Sequence, residues 1–232
     1  MNNTKISLTA IVPVHNEELF LKDSIDRLLK INIVDQIIVV DDCSTDNSLS
    51  ILNELESQNK KLKVFQSNSN VGKGGAIKIG FDNISSEYVI IHDADLEYNP
   101  NDIYKLFEKI LPTKDNFILG TRFTSKSKHQ IYRRTYFANK FLSLLFSILY
   151  SIKVTDLATC YKLIPSDFLK NSKFIENGFT IEVELLAKYL KINKKYCEVP
   201  ISYVARSYEE GKKIKFSDGI KYIFAIFKYR MI

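Results

Sequence analysis

The chain has little cysteine, and its cysteines are not arranged as a metal site or a disulfide framework. Cys43, Cys160 and Cys197 are an odd number and lie far apart along 232 residues. They lack both the paired spacing of a zinc site and the density of a secreted disulfide scaffold. We therefore expect free thiols and a reducing, cytosolic compartment.

Signal-like and membrane-spanning segments are also lacking. Residues 1–6 show no charged region followed by an apolar core and a cleavage site, so we expect no secretion signal. The apolar run 141–152 is shorter than the ~20 residues that a membrane span needs. For this run and for 222–230 two interpretations stay open. Each is either a buried core helix or a helix in the membrane interface with basic residues at the headgroups.

Negative charge is absent from a long stretch of the second half. Residues 124–155 contain no Asp or Glu but six basic residues, and a second basic region covers 206–230. Together with the net charge of +6, these regions could bind nucleic acid, anionic lipid or a phosphorylated substrate, or could simply be solvated. We expect no nucleic-acid partner, because the basic residues flank apolar helices and no nucleic-acid module is recognisable.

The first half alternates apolar, β-branched runs with helical patterns. The runs that predict strands are 8–14, 36–40, 62–65, 88–91 and 117–119. The patterns that predict helices are 17–30, 46–57, 75–83 and 101–111. With 45% hydrophobic residues the chain can bury a sizeable core. The alternation predicts an α/β fold with a mainly parallel sheet covered by helices on both faces.

Polar clusters follow the first four predicted strands. Because ligands of such sheets bind at the carboxyl ends of the strands, these clusters predict one site. Asp93 and Asp95 are two residues apart and share a face of an extended chain. They could hold one hard divalent ion, Mg²⁺ or Mn²⁺, with phosphate oxygens and water as the other ligands. The alternative is a solvated acidic strand end.

A nucleoside diphosphate sugar would suit this edge. Asp42 could accept a hydrogen bond from a ring N–H of the base, although it could equally cap a turn leading into the next helix. Lys73 lies in a glycine-rich loop, 70–75, that opens a helix and could approach phosphates. A metal at Asp93 and Asp95 would neutralise the charge on the departing diphosphate.

The acceptor decides whether a base is needed. A sugar hydroxyl must lose its proton, whereas a phosphate monoester already carries about −1.5 to −2 charges near pH 7 and needs cations instead. Arginine is favoured for the fork-shaped recognition of phosphate. The candidate cations are Arg133, Arg134, Arg206 and Lys212.

These motifs resemble a known family along nearly the whole chain. They are IVPVHNE at 11–17, VVDDCSTD at 39–46, NVGKGG at 70–75, DAD at 93–95, GTR at 120–122, DLATCYKL at 156–163 and RSYEEGKK at 206–213. Their order and spacing resemble glycosyltransferase family 2 of the GT-A fold. The similarity is in particular to polyprenyl-phosphate sugar transferases such as dolichyl-phosphate mannose and glucose synthases.

The resemblance implies a GT-A fold, a Rossmann-like and mainly parallel sheet flanked by helices, with C-terminal acceptor-side helices. Residues 1–123 would be the nucleotide-sugar-binding part. Residues 124–232 would be the acceptor-binding part of the same single domain.

The resemblance also implies roles for individual residues. The nucleotide pocket would be lined by Pro13, His15, Glu17, Val40 and Asp42. Asp93 and Asp95, with Ala94 between them, would serve the metal and the diphosphate. Arg122, Arg206 and Lys212 would contact donor or acceptor phosphates.

Three further carboxylates have less specific interpretations. Asp156 fits the family pattern as a general base or an acceptor-orienting group, and a structural cap is the alternative. Glu182 and Glu184 lie in a predicted helix, and we interpret them as solvated or capping carboxylates.

We predict an inverting glycosyltransferase that moves a sugar from a nucleoside diphosphate sugar to a polyprenyl phosphate. UDP-sugars are slightly favoured over GDP-sugars, because 156–163 is more similar to the glucosyl-type members. The enzyme would work at the cytoplasmic membrane face, attached peripherally by its own helices or through a separate membrane-protein partner. The alternatives are transfer to a hydroxyl in polysaccharide or glycolipid synthesis, and nucleotide-sugar binding without turnover.

Overall fold

The first half of the chain consists of strands and helices in strict alternation. The computed structural model describes residues 6–110, 117–123, 129–130, 132–193, 195–206 and 216–232, with only the backbone of 129, 130 and 216. The elements of this half are β1 (Leu8–Val14), α1 (Leu21–Leu29), β2 (Gln36–Asp41), α2 (Ser48–Gln58), β3 (Leu62–Gln66), α3 (Gly72–Phe81), β4 (Tyr88–Ile91) and α4 (Asp102–Phe107). Each predicted strand and helix of this region is confirmed, with ends that differ by a few residues.

The second half adds longer helices and short strands. Its elements are β5 (Phe117–Thr121), β6 (His129–Gln130), α5 (Arg133–Tyr150), β7 (Lys162–Pro165), α6 (Ser166–Asn171), α7 (Ile181–Ile192), β8 (Tyr196–Pro200), β9 (Tyr203–Val204) and α8 (Phe216–Met231).

Seven strands form one mainly parallel sheet, in the order β3-β2-β1-β4-β7-β5-β8. The strand β7 is antiparallel to both of its neighbours, and the other pairs are parallel. The central strands are buried along nearly their whole length, as continuous apolar runs in a doubly covered sheet should be. The sheet and its flanking helices confirm the predicted α/β fold. Strands β7 and β8 also show that residues on both sides of position 123 share one sheet.

The two late apolar helices are neither fully buried nor fully exposed. In α5, Leu142 and Phe146 are buried, while Phe141 and Ile148 are more than half exposed. Each helix therefore has one face in the core and one uncovered face, so neither is the fully buried core helix of the first interpretation. The membrane interface stays a prediction. Among the helices within the described ranges, none combines the length and the apolar character needed to cross a bilayer.

Candidate active site

A cavity of about 260 Å³ opens beside β1, at the point where the order of the strands in the sheet changes direction. β2 and β3 lie on one side of β1, and β4 lies on the other. The connections after β1 and β4 therefore diverge and leave a crevice at the carboxyl end of the sheet. Residues after β1, β2 and β4 line the cavity, together with side chains of α3, α7, β9 and α8.

The loops at this edge are held in uncommon backbone conformations. Asn16, Cys43 and Leu96 follow β1, β2 and β4, and have positive φ angles of 51°, 56° and 62°. Left-handed backbone is costly for residues other than glycine, above all for one like leucine. It persists only where neighbouring contacts hold it. Asn16, for example, accepts a hydrogen bond from the Thr45 N–H at 2.8 Å.

Asp42 caps the helix that carries the glycine-rich loop. Its two carboxylate oxygens accept hydrogen bonds from the N–H groups of Val71 and Gly72, both at 2.7 Å, and Ser67 donates a third at 3.0 Å. A carboxylate at a helix N-terminus satisfies free N–H groups and interacts favourably with the helix dipole. The capping interpretation thus holds for α3, not for the helix that directly follows Asp42. The side chain also lines the cavity.

The glycines of this loop permit a close approach to another segment. The N–H of Gly74 donates to the Asn177 carbonyl at 2.7 Å. A Cβ atom on Gly74 would lie 2.5 Å from the carbonyl oxygen of Glu176. The loop therefore packs directly on the backbone that leads into α7, and only glycine fits there.

Lys73 is the first of two cations that pair with the predicted metal-binding carboxylates. Its Nζ lies 2.9 Å from Asp93 Oδ1 and 2.9 Å from Glu182 Oε1. Burial would raise the pKa of Asp93, but the Lys73 ammonium, its hydrogen bond and a hydrogen bond from Cys160 together hold that pKa below its usual value. Asp93 is therefore ionised at neutral pH.

Arg206 is the second cation. Its guanidinium donates to Glu17 Oε2 at 2.8 Å and to Asp95 Oδ2 at 3.3 Å. Burial and the nearby charges of Asp93 and Glu97 raise the pKa of Asp95 to about 8, despite the opposing effect of Arg206. Negative charge is crowded at this point of the cavity.

The chemistry of these residues fits a divalent metal. Asp93 and Asp95 supply hard oxygen ligands. Burial and the charges of Asp93 and Glu97 raise the pKa of Asp95, and a bound cation would favour its ionised form. Within the described residues no three His, Cys, Asp or Glu side chains are grouped as ligands of one ion. Two carboxylates would leave the other positions to phosphate oxygens and water, the usual arrangement for Mg²⁺ beside a phosphate.

Asp156 lies beneath the cavity and not in its lining. It is completely buried, and its oxygens accept hydrogen bonds from Arg122 Nε at 2.7 Å and Nη2 at 2.8 Å. The Arg122 guanidinium also lies 4.7 Å from the centre of the Tyr203 ring. The pair orients Arg122, which does line the cavity. This environment supports the structural alternative for Asp156 over a role as a general base.

The structure brings most of the predicted site residues together. Those that line the cavity are Pro13, His15, Glu17, Asp42, Lys73, Asp93, Ala94, Asp95, Arg122 and Arg206. Val40 does not line it, because its side chain is completely buried in the core around β2. Arg133 and Arg134 begin α5 and are exposed outside the cavity. Lys212 lies outside the described residues.

The interpretation of Glu182 and Glu184 as solvated carboxylates is wrong. They are 3% and 0% exposed. Glu182 lines the cavity, and Glu184 accepts hydrogen bonds from the N–H groups of Ile175 and Glu176. Residues 181–187 of α7 are all buried, so the polar positions among them do not mark a solvent face. The only sequence signal for the burial of Glu182 and Glu184 was their position in an otherwise apolar helix.

Several aromatic residues complete the lining and were not predicted. They are Tyr98, Phe179, Tyr203 and Tyr222. Tyr98 stacks on Tyr161, with ring centres 4.7 Å apart. These residues are far apart in the chain and belong to no motif, so only the folded chain reveals them.

Comparison with protein families decides the assignment. The family model described as "Glycosyl transferase family 2" matches residues 9–172, which is well over half of the chain. The chain belongs to glycosyltransferase family 2. It is a glycosyltransferase, and its predicted family resemblance is confirmed.

Three curated relatives match this glycosyltransferase over most of their length. An uncharacterized protein of Methanocaldococcus jannaschii is 32% identical and aligns with 89% of this chain and 94% of its own. The UDP-N-acetylglucosamine–dolichyl-phosphate N-acetylglucosaminyltransferase of Methanococcus voltae is 26% identical, with 95% of both chains covered. The dolichol-phosphate mannosyltransferase of Saccharomyces cerevisiae is 27% identical, with 89% of this chain and 81% of its own covered.

Solved structures agree on the fold. The glucosyl-3-phosphoglycerate synthase of Mycobacterium tuberculosis, in complex with Mn²⁺, UDP and glucosyl-3-phosphoglycerate, superposes with a TM-score of 0.75 at 17% identity. The match covers 98% of this chain and 81% of that one. The GT-A fold of this family 2 glycosyltransferase is thereby confirmed.

Proposed function

We propose that this glycosyltransferase moves a sugar from a nucleoside diphosphate sugar to a polyprenyl phosphate, with inversion at the anomeric carbon. The observation that carries the proposal is an unpaired hydrogen-bond donor on Arg206. Its Nε is buried and has no hydrogen-bond partner within the described part of the chain, although the residue lines the cavity. A buried donor left unpaired costs about 1–3 kcal/mol. A phosphate oxygen in the cavity would satisfy it after a turn of the guanidinium, because Nε has almost no exposed surface in its present position.

The charges of the cavity suit a diphosphate donor. Asp93 and Asp95 would hold a divalent metal, Mg²⁺ or Mn²⁺, which when bound neutralises charge on the leaving diphosphate. Lys73 lies beside Asp93 and would contact a diphosphate oxygen. Pro13, His15, Glu17 and Asp42 would surround the nucleoside, at the carboxyl ends of β1 and β2.

The bond changes are those of one displacement. An acceptor phosphate oxygen forms a bond to the anomeric carbon while the bond from that carbon to the diphosphate oxygen breaks. The electron pair of the broken bond leaves on the diphosphate. Arg206, with Arg122 beside it, would orient the acceptor phosphate.

The carboxylates of the lining support a phosphate acceptor over a hydroxyl acceptor. Each of them already has a partner: Glu17 and Asp95 pair with Arg206, Asp42 caps α3, Asp93 and Glu182 pair with Lys73, and Glu97 accepts from Tyr203 and from the N–H of Arg206. A hydroxyl acceptor requires a base to take its proton. An ionised phosphate does not, so a lining of engaged carboxylates suits it better.

Two uncovered helix faces support contact with a membrane. Exposed apolar residues recur at helical spacing on α5 (Phe137, Phe141, Leu144, Ile148) and on α8 (Ile220, Phe224, Phe227, Met231). The two helices touch, since Tyr150 Oη donates to the Ile226 carbonyl at 3.2 Å. Basic side chains such as Arg133 and Lys221 lie on the same helices. Apolar stripes bordered by basic residues are typical of helices that rest in a membrane interface. We propose peripheral attachment at the cytoplasmic face, where anionic lipids are found.

Transfer of radiolabelled sugar tests the proposal directly. Purified protein, Mn²⁺ and labelled UDP- or GDP-sugars are incubated with undecaprenyl or dolichyl phosphate, and the label is measured in the organic extract. We expect lipid-linked label, with UDP-sugars preferred, as the name of the Methanococcus voltae relative suggests. We expect a chelator to abolish it.

The variant Asp95→Asn tests the proposed metal-binding role of this carboxylate. It removes one metal-binding charge and should lower transfer at least about 100-fold, the scale expected for losing a group that stabilises the leaving charge. Its melting temperature without metal should hardly change, because the Asp95 carboxyl, with its pKa raised to about 8, is already mostly neutral at pH 7. Label that appears only on a hydroxyl acceptor, or transfer that survives Asp95→Asn unchanged, would contradict the proposal.

A further inference from the structure

A chain of polar contacts connects α8 with the metal-binding edge of the cavity. Tyr222 on α8 donates its hydroxyl to Glu182 Oε2 at 2.8 Å. Glu182 Oε1 pairs with Lys73 Nζ at 2.9 Å, and the same Nζ lies 2.9 Å from Asp93 Oδ1. Four segments are thus linked, and the Lys73 ammonium joins the carboxylates of two of them, Asp93 and Glu182.

Burial makes this chain of contacts sensitive to the loss of any member. Glu182 is 3% exposed and Tyr222 is 6% exposed. A buried carboxylate is stable only when cations or donors satisfy it. Glu182 uses one oxygen for Lys73 and the other for Tyr222, and Lys162 Nζ lies 3.9 Å from that second oxygen.

We propose that Glu182, held by Tyr222, is a positioning residue that keeps Lys73 in the donor site and limits its competition with the metal for Asp93. The inference rests on the proposed function of the cavity. It assigns a task to two residues that lie outside the motifs of the first half.

The physical reason is the sharing of one cation between two carboxylates. Without Glu182, the Lys73 ammonium would keep Asp93 as its carboxylate partner, and a metal would have to displace it from Asp93. With Glu182 on its other side, Lys73 keeps a counter-ion when Asp93 turns to a metal. The ammonium then stays within the cavity, where it can meet a diphosphate oxygen.

Tyr222 matters because it restricts where Glu182 can point. A glutamate side chain has three rotatable bonds, and a hydrogen bond to one oxygen leaves the other aimed at Lys73. The helix α8 supplies this hydrogen bond from its buried face. The placement of Lys73 therefore depends on α8 being packed in its position.

The experiment measures metal-dependent nucleotide binding in full-length Glu182→Gln and Tyr222→Phe variants. The readout is the Mn²⁺ concentration that gives half of the thermal stabilisation by UDP or GDP, since a ligand that binds only the folded state raises its melting temperature. Donor KM and kcat are measured in parallel. Tyr229→Phe is the matched control. It removes the same kind of hydroxyl from α8, which donates at 2.8 Å to Glu176, a carboxylate outside the cavity lining.

We expect Glu182→Gln to raise the half-saturating Mn²⁺ concentration about tenfold, as expected for the loss of a charged hydrogen bond. Tyr222→Phe should raise it about threefold, because a neutral hydroxyl contributes less. Donor KM should rise in both variants with a smaller change in kcat. Tyr229→Phe should leave the Mn²⁺ requirement and KM as in the wild type.

Two results would overturn the inference while leaving the proposed function in place. One is a Mn²⁺ requirement in Tyr222→Phe equal to that of the wild type. This variant can be measured even if Glu182→Gln does not fold. The other is an equal shift in Tyr222→Phe and Tyr229→Phe, which would mark both as purely structural contacts of α8. If the wild type binds neither nucleotide with Mn²⁺, the proposed function fails and this inference fails with it. If the wild type and both variants bind nucleotide with the same Mn²⁺ requirement, this inference fails and the proposed function stands.

Discussion

Arg122 and Asp156 form a buried ion pair directly beside the cavity. The arginine donates two side-chain hydrogen bonds and its backbone N–H to one carboxylate. A bidentate pair of this kind fixes the plane of the guanidinium. Such pairs are poor evidence for net stability, but the loss of one partner leaves an uncompensated buried charge.

The variant Asp156→Asn separates the two interpretations of this carboxylate. If Asp156 is structural, the free energy of unfolding should fall by about 3–5 kcal/mol, because Arg122 remains charged and buried without its partner. The measurement is denaturant unfolding, with the exposed Glu54→Gln in the middle of α2 as a control that should change by less than about 0.5 kcal/mol. Full stability with selective loss of transfer would instead identify Asp156 as an acceptor-orienting group.

At the scale of elements, α5 and α8 carry both structural and surface functions. Phe146 and Ile226 are completely buried, whereas Phe137 and Phe224 are 68% and 72% exposed. The periodicity of an α-helix separates the two sets onto different faces. One helix can therefore close the core and still present an apolar surface.

The double variant Phe137→Ser/Phe224→Ser tests the membrane contact. Each phenylalanine would contribute about 1.5–3 kcal/mol when fully buried in lipid, so partition onto vesicles should fall at least about tenfold. Flotation with vesicles containing anionic lipid measures it, and neutral vesicles should bind the wild type less. Unfolding stability should hardly change, because both side chains are exposed. Equal flotation of variant and wild type would rule out these faces as the contact.

The elements themselves were predictable because their signals are local. Alternating apolar runs and helical spacing marked β1 to β5 and α1 to α4. The two faces of α5 could not be assigned from its sequence, since both are apolar and only packing decides which is covered.

At the scale of the whole molecule, the two parts predicted to bind donor and acceptor share one sheet. Strand β7 comes from the second half and lies between β4 and β5, with Val89 opposite Ile164 and Ile118 opposite Leu163. Removal of the second half would uncover strand edges and apolar faces in the middle of the core.

A fragment of residues 1–123 should therefore not fold alone, although it contains the proposed metal-binding carboxylates. We expect no cooperative thermal transition by circular dichroism and no stabilisation by UDP or GDP with Mn²⁺. The full chain serves as the control. Cooperative unfolding of the fragment would show that the predicted donor part is an independent domain.

The sequence by itself determined the strands, the helices and the edge of the sheet at which the site lies. Local periodicity defines the elements, and parallel strands must bring the residues that follow them to one edge. Asp42, Lys73, Asp93 and Asp95 were found in this way. Tertiary structure alone decided the partners. Glu17 and Arg206 are 189 residues apart, and Lys73 and Glu182 are 109 apart. No local pattern encodes which buried charges meet, because such pairs depend on how distant segments pack.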